Sequence, residues 1–154
     1  MTPTQRTLKA LRETYPHVAV AEYWQPSFAA RQVVDEAMSW AKSSSTSGLL
    51  RAIASLERTG PGKRQDLFGF LDVVAIGRGT TLGVQCTSTA NLSARISKIQ
   101  TERQDEALAW LSDGNRLEVW GWKKYVARVD GKLWRPTVRR LVLASNGAIS
   151  VESE

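Results

Sequence analysis

Asp72 and Gln85 are the residues of this chain best placed to do chemistry together. They lie in residues 64–87, RQDLFGFLDVVAIGRGTTLGVQCT. Asp72 opens an apolar, β-like run over residues 72–76, a turn follows at Gly77-Arg78-Gly79, and a second β-like run covers residues 81–87. On adjacent antiparallel strands, a carboxylate and an amide oxygen at these positions converge on one divalent cation. Mg²⁺ and Mn²⁺ prefer hard oxygen donors of this kind. A cation held there activates a water and stabilises charge on a phosphodiester. Residues 85 and 87 share a strand face by the period of two, so Thr87 points the same way as Gln85.

The hydroxyl of Thr87 carries no positive charge, so a cationic group has to come from elsewhere. Lys98 sits on the helix expected after the hairpin, with Arg95 one turn before it on the same side. The candidate catalytic set is therefore Asp72, Gln85, Thr87 and Lys98, with the metal on Asp72 and Gln85. Lys63, Arg64, Arg95 and Lys98 are the candidate nucleic-acid contacts. Asp66 is a second acid upstream of Asp72. The even spacing puts both on one face only if the strand runs unbroken, and Gly69 invites a bulge between them.

The elements that must position this set are legible as periodicities. Thr2-Pro3 is an N-cap followed by proline at the first helical position, and Leu8 and Leu11 mark a helix ending near residues 15–16. Residues 17–24 alternate as a strand, with His17 a surface residue at its entry. Val33, Val34, Ala37, Met38 and Ala41 place a helix over residues 31–42. A second follows over residues 49–56, making either a helical hairpin or one long interrupted helix. Leu92, Ile96, Ile99, Leu108 and Leu111 mark a helix over residues 91–111, bent near residues 101–103. Residues 116–122 are a strand. Residues 125–129, 132–134 and 137–144 read as shorter strands, and the tail from residue 151 is expected to fray.

Composition narrows the function classes. The 154 residues suit one domain with a real core, and 42% hydrophobic with 23% charged residues are ordinary globular values. Twenty-one Lys and Arg against fifteen Asp and Glu leave a net charge of +6, which favours polyanion partners such as DNA. Core packing is the default for the six Trp, with base stacking open to an exposed ring or two. One cysteine and one histidine exclude a disulfide framework within the chain and a zinc cluster built from them. No apolar run reaches the ~18 residues that span a bilayer. A charged-then-apolar leader is not evident either. A cytoplasmic protein with no membrane role is expected.

Residues 72–87 resemble the catalytic hairpin of the Holliday-junction-resolvase branch of the PD-(D/E)xK nuclease superfamily. The thirteen-position step from Asp72 to Gln85 matches that branch's usual step from Asp to Glu. The chain is also similar to a group of short bacterial and phage proteins. The shared phrases are RTLKAL at 6–11, VAVAEYW at 18–24, RQDLFGFLD at 64–72, GVQCTS at 83–88, NLSAR at 91–95 and LEVW at 117–120.

This resemblance implies an α/β, restriction-endonuclease-like sandwich: a central mixed sheet flanked by helices. One domain would span residues 1–154, with a helical insertion at about 26–63 where the group runs on directly. It puts Asp72 at the metal ligand, Gln85 at the usual Glu, Thr87 at the usual Lys, and Glu13 at an accessory acid. It further implies Mg²⁺ or Mn²⁺, DNA as partner, homodimers as one assembly, and a bacterial or phage-infected cell. The expected activity is metal-dependent DNA endonuclease action through a variant D…QxT motif. The alternative is a catalytically inactive nuclease-fold protein that binds DNA or a protein partner, in a phage setting.

Overall fold

In a computed structural model the described residues are 1–25, 63–127 and 131–152, together with Gln32, Asp35, Met38, Ser39 and Leu50, all five of them helical. The rest of the expected insertion at 26–63, and so most of the helices expected at 31–42 and 49–56, lies outside the described residues. The chain divides into two compact units, Met1–Glu22 with Asp66–Glu154, and Tyr23–Gln65.

The larger unit is built on a six-stranded mixed sheet. Helix α1 (Pro3–Arg12) is followed by β1 (His17–Val20), then by β4 (Val73–Gly77) and β5 (Thr80–Ser88). A single 3₁₀ turn, Thr89–Asn91, leads into α2 (Leu92–Thr101) and α3 (Gln104–Ser112). Strands β6 (Arg116–Ala127), β7 (Gly131–Leu143) and β8 (Ile149–Val151) complete it. The strand order is β1-β4-β5-β6-β7-β8, with β5 and β6 parallel and every other pair antiparallel. The smaller unit contains most of β2 (Glu22–Gln25) and β3 (Lys63–Asp66), which form a two-stranded sheet.

Local chemistry explains the start of the chain. Thr2 caps α1: its Oγ1 accepts from the Gln5 N–H at 3.3 Å, and Gln5 Oε1 accepts from the Thr2 N–H at 2.9 Å. Each bond satisfies a donor the helix start would leave orphaned, with Pro3 pre-set for the first turn. His17 is exposed at the first position of β1. The strand expected over 17–24 is broken at Ala21, whose N–H donates to the Asp72 carbonyl and whose carbonyl accepts from Leu67 N–H.

Period-two alternation sorts the sheet into two cores. Val73, Ala75, Leu82, Val84 and Cys86 pack with Leu11 and Tyr15 beneath α1. On the other face, Leu117, Val119 and Leu141 pack with Phe70, Leu71, Leu92, Ile99 and Ala107. Gly83 is required on this second face, because a Cβ there would stand 2.6 Å from Leu71 and 3.0 Å from the Trp110 ring. Among the described residues, no helix is long and apolar enough to cross a membrane.

Four readings need correction. The run 66–76 is not one strand: β3 ends at Asp66, and a tight loop with Phe68 (φ 55°) and Gly69 (φ 76°) precedes β4. The helix over 91–111 is two helices, broken where Arg103 leaves helical backbone geometry (φ −120°, ψ 25°). Residues 116–144 hold two long strands instead of four short ones, paired from Leu117↔Leu141 to Ala127↔Gly131. Among the described residues β8 pairs with β7 at residues 141–143, short of Pro136, so no described strand asks that position for an N–H on this edge. Val151 does not fray. It belongs to β8, and Glu152 beyond it forms an ion pair with Arg140 at 3.1 Å.

Candidate active site

Asp72 stands at the entrance to β4 with its main chain held on both sides. Its N–H donates to the Val84 carbonyl at 2.9 Å, and its carbonyl accepts from Ala21 at 2.8 Å. Val73↔Val84 is the last β4–β5 pair at this end. Beyond it, the N–H of Cys86 donates to Asp72 Oδ2 at 2.6 Å, so the carboxylate takes up a backbone donor that the ladder no longer reaches. The same oxygen accepts a hydrogen bond from the side-chain amide of Gln85. Gln85 is only 2% exposed, so this bond is made away from solvent.

The surroundings set the charge of the pair. The Asp72 carboxyl is pushed up from 3.8 to about 7, mainly by burial. The Cys86 N–H opposes this, the charge and hydrogen-bonding reach of Asp66 add to it, and the Gln85 amide lowers it. Asp66 is thus brought beside Asp72, but not by the shared strand face the spacing suggested. The loop between them folds back: Gly69 N–H donates to the Asp66 carbonyl at 2.9 Å, and Leu67 and Leu71 bond reciprocally. Two carboxyl groups crowded in this way favour a shared proton or a bound cation.

The other candidates are placed with less in common. Thr87 is buried at 6% exposure and lies on the same sheet face as Gln85, in register with Gly121 as Gln85 is with Val119. Arg95 and Lys98 lie half-buried on α2, and neither makes a hydrogen bond or ion pair to Asp72 among the described residues. Glu13 is exposed at the C-terminal cap of α1, the helix that packs against the opposite face of the sheet. Lys63 and Arg64 are backbone members of β3, and their side chains lie outside the described residues. So Asp72, Gln85 and Asp66 come together, and the basic residues are not joined to them.

A divalent cation fits this donor set in chemistry. Asp72, Asp66 and the amide oxygen of Gln85 are all hard oxygen donors, and a cation relieves the crowding of two acids. Among the described residues, no three His, Cys, Asp or Glu side chains are grouped to hold a metal, so a third protein ligand would have to be the amide oxygen of Gln85, whose NH₂ end here faces Asp72. The Cys86 thiol faces α1, where Thr7 and Thr4 reach it, and burial pushes it up to about 12. That leaves it protonated and no nucleophile. What spacing could not reveal was the contribution of the Cys86 main chain, because a backbone donor leaves no residue-type signal. No family model matches the chain, and no curated protein or solved structure matches it either.

Proposed function

We propose that this chain is a metal-dependent DNA endonuclease of the PD-(D/E)xK type, built on a restriction-endonuclease-like sandwich and hydrolysing phosphodiesters through a variant D…QxT site. One observation carries the reading: Asp72 meets the buried amide of Gln85 and a second acid, Asp66, at the end of the β4–β5 hairpin, with both acids half-buried. Asp72, Asp66 and Gln85 would hold the Mg²⁺ or Mn²⁺. When bound, the cation supplies an activated water and neutralises charge on the phosphodiester. The chain's own part is positional. The Cys86 N–H and the Gln85 amide fix the half-buried Asp72 carboxylate on the sheet. Lys98 and Arg95 on α2 are the groups available to meet the phosphate.

A second reading has its own support. Thr87 stands where the superfamily's usual lysine would be, and Gln85 is neutral where that motif has Glu. These two departures favour a nuclease-fold protein that binds DNA without cutting it. A cleavage assay with Mg²⁺ or Mn²⁺ on linear, single-stranded and branched DNA, controlled by Asp72→Ala, separates the two. Cutting that Asp72→Ala abolishes supports the first reading. Binding without cutting supports the second, and no binding to any DNA removes both.

A further inference from the structure

Strands β6 and β7 outrun the rest of the sheet. The pairing of β5 with β6 ends at Ser88↔Trp122, yet β6 and β7 stay paired through Lys123↔Arg135, Lys124↔Trp134 and Tyr125↔Leu133 to Ala127↔Gly131. The result is a two-stranded ribbon whose described side chains past Trp122 are exposed and basic or apolar: Lys123, Lys124, Tyr125, Val126, Leu133, Trp134 and Arg135. At its base lies a hollow of about 420 Å³. The turn at Ser88–Ala90 forms one wall, and Trp122, Lys123, Lys124 and Trp134 form the rest. Among the described residues, no carboxylate lines it.

Both indoles are held in place. Trp122 Nε1 donates to Thr7 Oγ1 at 2.9 Å, which keeps that ring from turning. The guanidinium of Arg6 lies 3.9 Å from the centroid of the Trp134 ring, bracing it and adding another positive charge. Trp134 stays 37% exposed all the same. Fixed aromatic rings beside lysines, with no acid among them, suit a flat base carrying phosphates. In a duplex the faces of the bases are already stacked, so an indole can stack only on an unpaired one.

We infer that this hollow holds one unpaired nucleotide of a DNA strand whose phosphates meet Lys123 and Lys124 at the base of the ribbon, so that the protein prefers DNA containing single-stranded stretches to blunt duplex. The inference rests on the nucleic-acid reading above and adds a second contact site to it. The hollow begins at Ser88, about 10 Å along β5 from Gln85 at strand rise.

The test is fluorescence anisotropy in EDTA, which prevents cutting. The probes are labelled oligothymidylate, a blunt duplex and a forked duplex, with thymidine monophosphate as competitor. The wild type is expected to bind the fork and the single strand about tenfold or more tighter than the blunt duplex. Trp134→Leu should lose about 5- to 150-fold on those two, the range for one stacked base, and stay close to wild type on the duplex. Trp134→Phe keeps a ring and should retain the preference, which separates lost stacking from misfolding. The double variant Lys123→Ala/Lys124→Ala should flatten the salt dependence on single strand by about 1.4 in slope.

Equal wild-type affinity for fork and blunt duplex overturns the inference and leaves the nuclease reading standing. So does a Trp134→Leu variant that weakens all probes alike, or competition by the mononucleotide as strong as by the oligonucleotide. No wild-type binding to any probe overturns the inference and the nuclease reading together.

Discussion

The buried side-chain amide of Gln85 donates to the carboxylate of Asp72, and both belong to the hairpin of β4 and β5. The bond ties two strands together at the point where their ladder stops. It also fixes the direction in which the carboxylate faces. Loss of the donor has a defined cost. Gln85→Ala leaves a mostly buried carboxylate with one fewer donor and is expected to destabilise the fold by about 1–3 kcal/mol. The shift of the urea midpoint in chelator, compared with wild type, measures it.

Asp72 also makes stability depend on pH. Its folded value of about 7 lies above the 3.8 of an ordinary aspartate. Folding therefore favours the acid form. That contribution is complete below about pH 4 and is lost as pH rises through about 7. Without metal, wild-type stability at this group should fall over that window by on the order of a few kcal/mol. Asp72→Asn keeps an acceptor for Cys86 and cannot ionise. It should gain on the wild type as the pH is raised, and a constant gap between their urea midpoints from about pH 4 to about pH 8 would contradict this.

Glutamate at position 85 should act in opposite senses with and without a divalent ion. In EDTA, Gln85→Glu adds a negative charge beside Asp72 and Asp66, so the melting temperature should drop. With Mn²⁺ the same change supplies a charged ligand, and the stabilisation by the ion should exceed that seen for the wild type. Differential scanning fluorimetry in the two conditions reads both. A variant with no larger Mn²⁺ response than the wild type would count against a cation at this position.

The hairpin's register is open to a packing test. Gly83 lies on the face of β5 that carries Gln85 and Thr87, against Leu71 and Trp110. Leu71 is fully buried and has no room to swing aside. Gly83→Ala should therefore cost about 1–3 kcal/mol through overpacking, whereas Gly79→Ala meets open space and pays only for its positive φ. Chemical denaturation of the two variants gives the comparison.

The sequence made the hairpin and its pair legible because the clues were local. An apolar run, a Gly-Arg-Gly turn and a second run set the two strands side by side, and Arg78 and Gly79 do take the positive φ that such a turn needs. Asp66 was harder, since counting by twos assumes an unbroken strand. The loop at Phe68 and Gly69 breaks the strand and still returns the acid to Asp72. The length of β6 and β7 was hidden for a different reason. Lys123, Lys124, Arg135 and Pro136 read as interruptions, and only the pairing of the two strands with each other carries them through. The buried place of Thr7 was equally invisible, because its partner is Trp122, far along the chain.

On the proposed function, Asp72 organises a divalent ion for phosphodiester cleavage. The most direct test of that role is the single-turnover rate of Mn²⁺-dependent cutting of forked or four-way-junction DNA by wild type and by Asp72→Asn. The wild type is expected to cut, and the variant to lose about a thousandfold or more, the scale of several kcal/mol of transition-state stabilisation. Equal rates for the two proteins, or DNA bound and left uncut by the wild type, would contradict that role.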